Sequence, residues 1–117
     1  MIYTPLAYSI EFMELEFIET SVFTRLVTGL LSDDEYRDLQ NTLIENPKAG
    51  DLIKDGGGIR KIRHAVQGQG KSGGVRAIYY WLKADAQIYM LVVYPKSKKD
   101  NLSDEETAVL RKLVKNL

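Results

Sequence analysis

"AVQGQGKSGGVRAIYYWL", residues 65–82, admits two readings that lead to different folds. From Ala65 to Ser72 it fits the loose form of a phosphate-binding loop: a small residue, four others, then Gly70-Lys71-Ser72. Such a loop works between a strand and a helix, where backbone amides and the helix N-terminus face the phosphates together. Here Ser72 is followed by two glycines and then by Val75, Ala77, Ile78, Tyr79, Tyr80 and Trp81. β-Branched and aromatic residues at that density form a strand, not a helix. A glycine-rich loop between two strands is a hairpin. No acid at the end of an apolar strand offers itself to magnesium either. The nucleotide triphosphatase reading is therefore set aside. Lys71 is then either a solvated loop residue or a flexible arm that reaches a phosphate backbone.

The first arm of the hairpin is "IRKIRHAV", residues 59–66. Its alternation puts Lys61 and Arg63 on one face and Ile62, His64 and Val66 on the other. After the second arm, Asp85 and Ala86 mark a turn. "QIYMLVVY" then reads as a central strand covered on both faces, ended by Pro95. Upstream, "MELEFIET", residues 13–20, alternates Leu15 and Phe17 with Glu14 and Glu16, a first strand with one wet face. "SVFTRLVTGLL" carries Val22, Phe23, Leu26, Val27, Leu30 and Leu31 at helical spacing. "SDDEYRDLQNTLIENP" opens with a capping box, Ser32 and Glu35, and stops at Asn46-Pro47. A second capping box, Ser103 and Glu106, opens a last helix with Val109, Leu110, Leu113, Val114 and Leu117 as its stripe. Residues 1–8 show no pattern and read as a disordered lead. The order strand, helix, helix, three strands, helix is α+β. It predicts one domain over 1–117: a mostly antiparallel sheet of about four strands, a helical hairpin and a C-terminal helix, with the helices on one side.

The chain has 117 residues, 44% of them hydrophobic and 27% charged, an ordinary globular mixture. No apolar run approaches the ~18 residues of a membrane span, and the N-terminus lacks the basic start of a signal peptide. Together these point to the cytoplasm. There is no cysteine, so thiolate chemistry is excluded, and one histidine cannot build the common zinc sites. The net charge of zero hides a strong asymmetry. Residues 1–47 hold nine acids and two bases, whereas residues 48–99 hold eleven bases and three acids. Any single lysine is best read as solvated, but a basic block across strands suggests an anionic partner.

Lys61, Arg63 and Arg76 lie on neighbouring strands, and Lys96, Lys98 and Lys99 follow the next one. In a three-strand meander these groups converge on one concave face, and such a face suits RNA. Arg76, among Ile78, Tyr80 and Leu82, needs a firm partner: a phosphate, or an ion pair with a buried acid. Asp51, Asp55 and Asp85 read as turn residues. His64 stands opposite Lys61 and Arg63 and reads as packed or at an edge.

Three stretches together carry a resemblance: the Asn46-Pro47…Gly50-Asp51 turn, the Gly-Gly-x-Arg-Lys-x-Arg strand ending at Arg63, and Gly-Lys-Ser-Gly-Gly-x-Arg ending at Arg76. With "LLSDDEYRDLQNTLIENP" and "YMLVVYPKSKKDNLS" they resemble the HigB-like branch of the RelE superfamily of bacterial toxins, over roughly residues 13–115. The resemblance implies a ribosome-dependent endoribonuclease that cuts messenger RNA in the decoding site. It also implies a cognate antitoxin, usually a helix-turn-helix protein that represses the shared operon, so operator DNA is met only through that partner. Carried over by position, Lys61, Arg63, Arg76 and Lys96 are the catalytic set, with Lys98 a further basic position after the last strand. From the basic block itself, Arg60, Lys71, Lys98 and Lys99 are expected to bind RNA. No metal or other cofactor is implied. Some members place a tyrosine or histidine near the C-terminal helix, where this chain has "DNLSDEETAV". Crowded cations lower a lysine's pKa, so Lys61 or Lys96 reads as the base. Arg63 and Arg76 would stabilise the phosphorane. A rival class is a basic module that occupies RNA or a ribosomal site without cutting.

Overall fold

The computed structural model describes residues 2–10, 13–67 and 73–117, with side chains from Leu15 onward. Its elements are β1 (Ile2–Ile10), β2 (Met13–Glu19), α1 (Ser21–Leu30), α2 (Asp33–Glu45), β3 (Asp51–Leu52), β4 (Arg60–Val66), β5 (Gly74–Leu82), β6 (Gln87–Pro95) and α3 (Asp104–Lys115). β5 begins at Gly74, so a strand stands where a phosphate loop would need a helix. The loop tip itself, with Lys71, lies outside the described residues.

One sheet contains all six strands, in the order β1-β2-β6-β5-β4-β3. Only β2 and β6 run parallel; the other neighbours are antiparallel. The α+β expectation holds, with two strands more than the four read from sequence. β3 pairs through Asp51–Lys61 and Leu52–Arg60, too short to carry a periodicity. β1 replaces the disordered lead expected at residues 1–8. Its register with β2 shifts between Thr4 and Tyr8, around Pro5. An edge strand tolerates a residue with no N–H, and pairing with β2 supplies the order that the local pattern does not.

The helices do not share one side, as the sequence reading had it. Phe23, Val27, Leu39, Leu43 and Ile44 of α1 and α2 pack with Phe17, Ile62, Val75, Ala77, Tyr79, Ile88 and Met90. Val114 of α3 packs with Ile78, Leu91 and Tyr94, with Leu102 and Leu110 alongside. Adjacent strand residues point to opposite faces, so α3 covers the face that α1 and α2 do not. The cause is β5, apolar on both faces: Ile78 and Tyr80 need cover as much as Ala77 and Tyr79 do. A shift in the β5–β6 register between Ile78 and Tyr79 skips Leu91. It lets Met90 and Val93 face the same core despite their odd spacing.

The helix starts follow the sequence. Thr20 caps α1, its hydroxyl accepting from Phe23 N at 3.0 Å and donating to Leu91 O at 2.7 Å. Both expected capping boxes form, Ser32 with Glu35 and Ser103 with Glu106. In α3 the expected Leu110 and Val114 are covered, with Thr107 beside them, while Val109 is 66% exposed and Leu113 and Leu117 are exposed too. No helix among the described residues is long and apolar enough to cross a membrane.

Candidate active site

β4, β5 and β6 form the expected meander, and its register sets the site. Arg63 stands opposite Arg76, and Arg76 opposite Tyr94. All three side chains lie on the α3 face of the sheet. Two arginines directly across a strand pair repel each other, and each is answered by an acid. Arg63 Nη1 lies 3.5 Å from Asp51 Oδ2, and Arg76 Nε donates to Asp100 Oδ1 at 2.8 Å. Asp51 is thus a paired strand residue, not the turn residue that the sequence suggested. Arg76 also donates to Val75 O at 3.3 Å. Its side chain is only 2% exposed, that of Asp100 44%.

The loop after β6 is tied down over this row. Lys61 Nζ donates to Asp100 O at 3.2 Å and to Asn101 Oδ1 at 2.5 Å. Tyr94 donates its hydroxyl hydrogen to Asp100 O at 3.3 Å. Backbone bonds from Lys96 N to Gly74 O and from Lys98 N to Pro95 O shape the start of the loop. The hydrogen bond from Arg76 holds the Asp100 carboxyl below the usual carboxylate range, helped by the charges of Lys61 and Arg63. Burial pushes the Tyr94 hydroxyl up to about 12, and Asp100 and Glu106 add to it. Beside the loop a cleft of about 240 Å³ is lined by Asp51, Lys54, Lys61, Arg63 and Asn101, among others.

A buried tyrosine sets the position of β4. Tyr79 donates to Pro47 O at 2.7 Å and accepts from Gly50 N at 2.9 Å, fixing the 47–50 turn from beneath. Burial raises the Tyr79 pKa and keeps its proton in place as a donor. A Cβ on Gly50 would sit 2.8 Å from the Tyr79 ring and 2.9 Å from Lys61 O, so the turn can approach β4 only with glycine there. Gly58, at φ +108°, ends the turn before β4 in a backbone conformation that side chains resist.

The family profile described as "RelE toxin of RelE / RelB toxin-antitoxin system" matches residues 19–117. The chain belongs to the RelE toxin family. It is the toxin side of a toxin–antitoxin system, and the family implies a cognate antitoxin as partner. The RelE match begins at the last residue of β2, so every strand that builds the site lies within it.

On this RelE chain the structure brings Lys61, Arg63 and Arg76 together on one face. Lys96 and Lys98 are exposed at the end of β6, at the hairpin end of the sheet. Arg60 turns to the opposite face, where Nη1 donates to Gly50 O at 2.8 Å and holds the 47–50 turn. Lys99 is paired with Glu106 and stacks over the Tyr94 ring at 5.0 Å. Its hydrogen bond holds the Glu106 carboxyl below its usual value. Lys71 lies outside the described residues. His64 faces the α1–α2 core side, across from Val75, as its parity required. Among the described residues no three His, Cys, Asp or Glu side chains gather to hold a metal ion. Sequence reasoning missed Asp100, Asn101 and Tyr94. The signal for Asp100 was present: an arginine in an apolar strand needs an acid, and "KKDN" supplies one just beyond the next strand.

Proposed function

We propose that this RelE-family toxin is an endoribonuclease that cuts messenger RNA on the ribosome. The observation that carries the reading is Lys61 and Arg63 side by side on one strand face, opening on a cleft that Asn101 also lines. Arginine grips two phosphate oxygens at once, and lysine brings a mobile point charge. In the reaction a ribose 2′-oxygen attacks the adjacent phosphorus. The bond to the 5′-oxygen breaks, leaving a 2′,3′-cyclic phosphate and a 5′-hydroxyl. Lys61 and Arg63 stabilise the charge that builds on the phosphorane. Lys96 and Lys98 hold the neighbouring backbone, and Lys71 reaches a phosphate of ribosomal RNA. No metal takes part. Among the described residues no histidine shares the face of Lys61 and Arg63, so positioning by the ribosome supplies much of the acceleration. The toxin acts in the cytoplasm. Its antitoxin is a helix-turn-helix repressor that alone contacts operator DNA.

The test is brief expression followed by sequencing of RNA ends. Growth arrest should come with cuts inside translated regions, and the upstream fragments should carry cyclic phosphates. Lys61→Ala with Arg63→Ala should abolish both. Arrest with intact RNA would favour a basic module that blocks the ribosome without cutting.

A further inference from the structure

We propose that Asp100 is the general base that takes the 2′-hydroxyl proton, and that Arg76 is its positioning residue; this rests on the endoribonuclease reading above. At 2% exposure the Arg76 guanidinium is enclosed and faces Asp100, not the solvent that RNA would enter from. The outward partner of that pair is the carboxylate, 44% exposed. Four contacts fix this residue and its neighbour. Arg76 Nε holds one oxygen of the carboxylate, Lys61 and Tyr94 bind the Asp100 carbonyl, and Lys61 also grips Asn101. A loop residue held this way is oriented before substrate arrives. The charged and titratable groups facing it are Arg76 from β5, Lys61 and Arg63 from β4, and Tyr94 from β6, with Glu106 of α3 beyond Tyr94. The cations keep the carboxyl ionised at neutral pH. Tyr94, pushed up to about 12, keeps its proton there. His64 is on the other face of the sheet.

The 2′-O–H bond breaks and its proton passes to a carboxylate oxygen of Asp100. The freed electron pair forms the bond from the 2′-oxygen to phosphorus. The bond from phosphorus to the 5′-oxygen breaks, and that oxygen takes a proton from the Lys61 ammonium. A carboxyl held so acidic is a weak base, so the rate leans on geometry.

The experiment is single-turnover cleavage of messenger RNA on programmed ribosomes by the intact toxin, with melting curves as the control for folding. Asp100→Asn should bind ribosomes as wild type does and cut about 10²–10³-fold more slowly, the usual contribution of a general base. Asp100→Glu keeps the charge and disturbs the fold least; its shifted carboxylate should cost at least about tenfold. Asp100→His should recover part of the rate lost in Asp100→Asn, with a new acid limb near pH ~6.5 that a purely structural role would not produce. Cutting by Asp100→Asn at the wild-type rate overturns the assignment, and so does an Asp100→His rate equal to that of Asn at every pH. If wild type itself fails to cut on ribosomes, the endoribonuclease reading falls and the base falls with it. If wild type cuts and Asp100→Asn cuts equally, only the base is wrong.

Discussion

Arg76 and Arg63 stand opposite each other, yet losing them should have unequal consequences. Arg76→Ala removes a fully buried side chain with its ion pair, and the space cannot close completely. It should destabilise the fold by about 2–4 kcal/mol. Arg63 pairs with Asp51 at the surface, where such pairs contribute about 0–1 kcal/mol, so Arg63→Ala should barely move the urea midpoint. Similar midpoints for the two variants would contradict the assignment of Arg76 to the interior. The acids predict a pH dependence. Asp100 and Glu106 are held below their ordinary values of 3.8 and 4.5 in the folded chain. A carboxyl with a lowered folded pKa stabilises above its unfolded pKa, and that stability is lost as pH falls through the folded value. Acid titration of Asp100→Asn should therefore show a shallower fall below about pH 4 than wild type, and identical curves would refute this. At this scale the sequence singled out Arg76 and left open a phosphate or an acid as its partner. Asp100 stayed hidden because the partners sit on different elements, and only the strand register and the fold of the loop bring them together.

Among the elements, those with local chemical signatures were legible. The Ser-x-x-Glu boxes mark the starts of α2 and α3, and the hairpin glycines separate β4 from β5. Elements that owe their existence to a distant partner were not. β3 has two residues and forms because Tyr79 and Gly50 hold the turn against β4. β1 has no alternation of its own to announce it. The Leu91 irregularity in β6 disappears within an unbroken apolar run, and α3 buries Thr107 where the stripe suggested Val109. Ser103→Ala should cost about 1 kcal/mol through loss of the α3 cap. Because Ser103 closes the loop that carries Asp100, it should also loosen the site, seen as faster amide exchange at residues 100–102. Gly50→Ala should be worse, at about 1–3 kcal/mol of overpacking, since two of the three atoms it meets are backbone. A thermal melt separates them: Gly50→Ala should melt below Ser103→Ala.

For the molecule as a whole, charge is the feature that sequence displayed best. The acids of the first forty-seven residues and the bases of the next stretch cancel in sum, but the fold sets Lys61 and Arg63 on one strand face and leaves Lys96 and Lys98 exposed at the end of β6. A ribosome is a dense polyanion, so association should weaken steeply with salt. Lys71→Ala should flatten that salt slope by about one phosphate contact and leave cutting of bound message unchanged. An unaltered slope would make Lys71 an ordinary solvated residue. The fold class was readable from the order of the elements, and the RelE family only as a resemblance carried by three stretches of sequence. The placement of helices on both faces was not, because it depends on β5 being apolar on each side. On the proposed function, the ribosome supplies geometry which this cationic face lacks by itself. The most direct measurement compares the cleavage rate of one messenger RNA, naked and on programmed ribosomes, at equal toxin concentration. Slow or undetectable cutting of naked RNA and rapid cutting on the ribosome is the predicted result; equal rates would contradict it.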